Sequence, residues 1–125
     1  MQYNKRLPPL IVGIKMAYEK LKSYERPKSL ISFQYDVYID KYLKYLAMDS
    51  GLNQGLLCLF RKQAENLDTL ANAHLFDTYD RKYIRALKYL YYAIINNLSD
   101  NDQHAKYMLS TAVMLLDDID YMIYI

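Results

Sequence analysis

Apolar residues along this chain return at steps of three and four, and no stretch alternates with the period of two that a half-buried strand needs. Ile11, Ile14, Tyr18 and Leu21 predict a first helix from about Pro9 to about Glu25. A proline in the first turn gives up no hydrogen bond there, and Pro27 stops the helix. Tyr35, Tyr38, Tyr42 and Tyr45 step by three, four and three, and Ile39, Leu43 and Leu46 form a second stripe about a quarter-turn away. These predict a second helix capped by Ser29 or Ser32, running to about Met48 and closed by Ser50-Gly51. A third helix is expected from about Asn53, with Leu56, Phe60, Ala64, Leu67 and Ala71 on one side. Asn72–Asp77 is polar and reads as a connection. Asp77 or Thr78 then caps a fourth helix to about Leu98, whose stripe is Ile84, Leu87, Tyr91, Ile94 and Leu98. After a turn at Ser99–Asp102, the last helix carries Ala105, Met108, Ala112, Leu115, Ile119 and Met122. A second row, Leu109, Val113, Leu116 and Ile123, widens that face enough to predict a central position for this helix. The expectation is an all-α compact bundle of about five helices with no β-sheet, residues 1–125 forming a single all-helical domain.

Composition sharpens this picture at one point. Three glycines and three prolines in 125 residues leave long uninterrupted stretches, and 53% hydrophobic against 24% charged residues excludes a disordered chain. The aromatic usage is unusual: 15 tyrosines, three phenylalanines and no tryptophan. Tyrosine suits boundaries that are dry on one side and polar on the other, which is interface chemistry. The face made by Tyr35, Tyr38, Tyr42 and Tyr45, flanked by Lys41 and Lys44, is therefore the expected partner-binding surface.

The net charge of +2 conceals an asymmetry. Residues 1–62 hold 11 Lys/Arg against 5 Asp/Glu, and residues 63–125 hold 5 against 9. Such halves can complement each other within the fold or between subunits. Cys58 is the only cysteine, which excludes an internal disulfide, and its neighbours Leu57 and Leu59 predict a buried thiol. Lys5 and Arg6 precede a short apolar run, but Pro8, Pro9 and Lys15 truncate it and no small-residue cleavage site follows. No segment approaches the roughly 18 apolar residues of a membrane helix. A cytoplasmic protein, or one delivered into cytoplasm, with no membrane partner, is expected.

Candidate chemistry is sparse. His74 falls in a loop and His104 near a helix start, and no sequence signature ties either to a nucleophile. Neither CxxC nor HExxH occurs, so two histidines and one cysteine make a poor zinc set. Asp117, Asp118 and Asp120 crowd the end of the last helix, where calcium would lack the loop that normally supplies its six or more oxygens. They read as a solvated acidic patch or a docking point for basic residues of the first half or of a partner. No catalytic residue, cofactor or metal is expected. Two basic-aromatic faces have the ingredients of nucleic-acid binding: Lys41 and Lys44 beside the tyrosines, and Arg81, Arg85 and Lys88 leading into Tyr89 and Tyr92.

The segment Leu46–Leu57 resembles the turn of phage-repressor helix-turn-helix domains. Ala47 and Gly51 stand four apart, Leu52 follows, and Leu57 and Phe60 fall where a recognition helix packs inward. The resemblance implies base contacts from Asn53, Gln54 and Lys62, whereas Gly55, Cys58 and Leu59 on the same reading face depart from it. Gly51-Leu52-x-Gln54 followed by aliphatic residues also resembles the small helical subunit of type III CRISPR effector complexes. That likeness, over about twenty residues and without the family's upstream Leu-Pro step, implies a non-catalytic filament subunit along a guide–target duplex.

The residues favour binding over chemistry. The function expected is that of a non-enzymatic protein-interaction module: an assembly subunit, adaptor or inhibitor that occupies a protein partner. The apolar end Tyr121-Met122-Ile123-Tyr124-Ile125 adds a homo-oligomer as a possible form. The alternative is a nucleic-acid-associated helical protein, acting through the Gly51 turn or the basic-aromatic faces.

Overall fold

The computed structural model describes residues 9–47, 54–72 and 77–124, with the side chains of residues 45–47 outside that description. The chain is an all-α bundle with no strand among the described residues. Its helices are α1 (Pro9–Ser23), α2 (Tyr35–Ala47), α3 (Gln54–Ala71), α4 (Thr78–Leu98) and α5 (Asp102–Tyr124). A short 3-10 turn, Lys28–Leu30, precedes α2. No helix of the described residues is long and apolar enough to cross a membrane.

Helix ends follow the local chemistry. Asp77 caps α4 as expected, its carboxylate accepting from the Asp80 amide at 2.8 Å. Neither Ser29 nor Ser32 caps α2. Successive tight turns, Leu30 N–H to Pro27 O, Phe33 N–H to Leu30 O and Tyr35 N–H to Phe33 O, first drive Leu30 into the core, so α2 starts only at Tyr35. The Ser50-Gly51 stop and most of the Asn72–Asp77 connection lie outside the described residues.

The centre of the bundle is α4, not α5. Nine α4 residues are buried, and this helix packs closely on α5, α3 and α1. The α5 helix buries Ala105, Ala112, Leu115, Leu116 and Ile119, while Val113, Met122 and Ile123 of its expected broad face stay exposed. A second apolar row needs a second neighbour, and α1 covers only its nearer edge. There a Cβ on Gly13 would lie 2.7 Å from Leu109 Cδ2, so the bare glycine lets the two helices approach.

The α2 helix is held differently. Among the described residues, its ties to the other helices include long aromatic side chains. Tyr42 meets Phe60 of α3 edge-on at 6.2 Å between ring centres, and Phe60 stacks at a tilt on Tyr91 of α4 at 4.8 Å.

Candidate functional site

Two tyrosines of the α2 stripe, Tyr35 and Tyr42, face inward. Tyr35 is 1% and Tyr42 0% exposed, Tyr38 is half-buried, and the Tyr45 side chain lies outside the described residues. The buried line runs Tyr35–Ile39–Tyr42, drawing from both stripes seen in the sequence. What α2 presents to solvent is Val37, Asp40, Lys41 and Lys44.

Many of the tyrosine hydroxyls have internal partners, and those partners lie on other segments of the chain. Tyr35 and Tyr83 share a hydrogen bond at 2.5 Å, and Tyr83 also donates to the Leu21 carbonyl at 3.3 Å. Tyr42 donates to Asn97 at 2.7 Å, Tyr18 to Asp40 at 2.9 Å, and Tyr24 to Asp120 at 2.5 Å. Tyr91 reaches Gln63 and Tyr92 reaches Asp68, each at 2.5 Å. Tyr79 ties α4 to the Glu25 carbonyl at 2.5 Å. Burial, reinforced by the hydrogen bonds to carboxylates, pushes the Tyr18, Tyr24 and Tyr92 hydroxyls far above the ordinary phenol value. Burial does the same to Tyr42, Tyr83 and Tyr91. The abundance of tyrosine is thus largely structural: a ring fills the core and its far end ties one helix to the next.

The candidate nucleic-acid residues are spread over α3 and α4. Asn53 lies outside the described residues, as does the Gly51 turn, while Gln54 and Lys62 are exposed on α3. Arg81 and Arg85 are exposed one turn apart on α4, with no ion-pair partner among the described residues. Lys88 is turned away from solvent, 3.3 Å from Asp68 and 5.0 Å above the Tyr89 ring. Tyr92 gives its hydroxyl to the same Asp68, so the aromatic part of this face is engaged internally.

The acidic cluster ending α5 meets two lysines. Lys20 of α1 pairs with Asp120 and lies 3.9 Å from Asp117, and Lys82 of α4 is 3.2 Å from Asp118. The hydrogen bonds from Lys20 and Tyr24 hold the Asp120 carboxyl below the usual carboxylate range. Cys58 is exposed, not buried. Leu56, Leu57 and Phe60 set the inward face of α3, and at 100° per residue Cys58 falls on the opposite side despite its apolar neighbours. His104 is exposed and His74 lies outside the described residues. No group of three or more His, Cys, Asp or Glu among the described residues is arranged to hold a metal ion.

One surface was named in the sequence only at its end, from Tyr121 onward. Tyr107, Met114 and Tyr121, seven apart on α5, are 69%, 67% and 67% exposed. Seven residues are nearly two helical turns, so the three side chains line up along the outward side of α5. Val113 and Tyr124 add exposed apolar area on its flank. The heptad spacing was the available signal, hidden behind the stronger stripe on the inward face. Comparison with family models, with curated proteins and with solved structures yields no match.

Proposed function

We propose that the chain is a non-enzymatic interaction module that acts in the cytoplasm by occupying a protein partner, as an assembly subunit, an adaptor or an inhibitor. The observation that carries this reading is the outward face of α5. Tyrosine and methionine are enriched in interface cores, and large side chains left two-thirds exposed along one line favour a cover. The contact is thereby assigned to α5 instead of α2, because Tyr35 and Tyr42 already have their area and hydroxyls engaged within the bundle.

Copurification from the native host tests this, with wild-type chain and Met114→Asp compared and each sample split for nuclease treatment. A stoichiometric protein partner that survives nuclease and is lost with Met114→Asp supports the proposal. A partner retained by the variant, or released by nuclease, contradicts it.

The alternative reading, association with nucleic acid, rests on Arg81 and Arg85, two exposed guanidinium groups one turn apart with no ion-pair partner among the described residues. Phosphate contacts of that kind give binding that weakens steeply with salt. Fluorescence anisotropy with nanomolar, sequence-dependent affinity at physiological salt would favour this reading over the first.

A further inference from the structure

The outward face of α5 has the symmetry of a self-partner. Tyr107 and Tyr121 stand seven residues before and after Met114, so the apolar positions read the same in both directions from that residue. In an antiparallel two-fold pair centred on Met114, contacts are reciprocal and this spacing sets Tyr107 of each copy level with the partner's Tyr121, apolar against apolar. The apolar centre also extends onto α1. Gly13 faces Leu109, and Lys20 reaches Asp117 and Asp120, so α1 runs parallel to α5 along one edge. Met16 lies between those two tie points at steps of three and four, and Val113 lies between their α5 counterparts. Both are exposed, Met16 to 67%, and sit level with Met114.

Charge selects the direction of pairing. A parallel pair would set Asp117 and Asp118 against the same residues of the other copy, which like charges oppose. In an antiparallel pair centred on Met114, the helical phase sets Ser110 against the partner's Asp117 and Thr111 against the partner's Asp118. Carboxylates then meet hydroxyls. Lys106, without an ion-pair partner among the described residues, falls on the same side as the partner's Asp117. The helix dipoles also oppose, the favourable sense for two adjacent helices.

We infer that a second copy of this chain docks on α5, the two α5 helices pairing antiparallel about a two-fold axis beside Met114. This rests on the reading of α5 as the docking face and names its occupant. Covering Met16, Tyr107, Val113, Met114, Tyr121 and Tyr124 removes on the order of 1,200 Å² over two copies, the lower end of the roughly 1,200–2,000 Å² of a specific interface.

Sedimentation equilibrium of the full chain at tens of micromolar is expected to give twice the 14.9 kDa monomer mass. Met114→Asp is expected to restore the monomer with helicity intact, because the residue is exposed within the monomer, and to remove the concentration dependence of the thermal midpoint. Direction is read by disulfide trapping in a Cys58→Ser background. Mixed Tyr107→Cys and Tyr121→Cys chains are expected to cross-link to each other, and Tyr107→Cys alone is expected not to self-link. A monomer at every concentration overturns the inference, as does a dimer that Met114→Asp leaves intact. Self-linking by Tyr107→Cys overturns the antiparallel arrangement. A wild-type monomer that still captures a different protein through Met114 overturns this inference alone and leaves the docking face standing.

Discussion

A tyrosine carries its only hydrogen-bonding atom at the far end of a rigid apolar ring, so one residue can fill a core and reach a polar group beyond it. Tyr18, Tyr24, Tyr42, Tyr83, Tyr91 and Tyr92 all do this, which turns composition into architecture. Fifteen tyrosines were plain in the sequence, but whether each hydroxyl meets water or another helix depends on residues far along the chain, such as Asn97 for Tyr42. The same limit misplaced Cys58, whose neighbours are apolar but whose helical phase is outward. The raised tyrosine values carry a pH consequence. A proton held more tightly in the folded state gives stability that is fully present below the ordinary value of about 10 and is lost as pH rises through the higher folded one. In an alkaline titration these tyrosines are expected to ionise only as the helices melt, so the late rise in tyrosinate absorbance coincides with loss of far-UV ellipticity. Their ionisation with helicity intact would contradict the burial described here.

Helices were the most legible level. Steps of three and four located all five, and Asp77 at the head of α4 was readable because a cap depends on its own neighbours alone. The start of α2 was not readable, since the 3-10 turn before it exists to bury Leu30 against distant helices. Phase was the harder problem. On α5 two adjacent rows looked equally apolar, yet only the row containing Ala112, Leu115 and Ile119 meets α4 squarely, leaving Val113 outside. Leu115→Ala is expected to cost roughly 2–5 kcal/mol, the range for a truncated core leucine. In the Met114→Asp background, where no second copy covers it, Val113→Ala is expected to stay within about half a kcal/mol, as exposed changes do. Urea unfolding of both variants checks the phase, and equal losses would show that α5 is turned about its axis.

At the scale of the molecule, the opposite charges of the two halves meet only in part: Lys20 crosses to Asp117 and Asp120, whereas Lys82, Lys88 and Arg26 pair within their own halves. The larger division is between an interior stitched by tyrosines and an outer helix that keeps Tyr107, Met114 and Tyr121 in solvent. Only the end of that outer line, from Tyr121, was legible in the chain, because an inward stripe and an outward stripe of large residues look alike until the neighbours are placed. The central claim is that the Tyr35–Tyr42 face of α2 is core and not a contact surface. Urea unfolding of Tyr42→Ala tests it most directly. Loss of a buried ring and its hydrogen bond to Asn97 is expected to lower the unfolding free energy by about 3–5 kcal/mol, the range for a buried aromatic cut to alanine. A change within about half a kcal/mol, the usual span for a surface residue, would place Tyr42 outside the core and contradict the account.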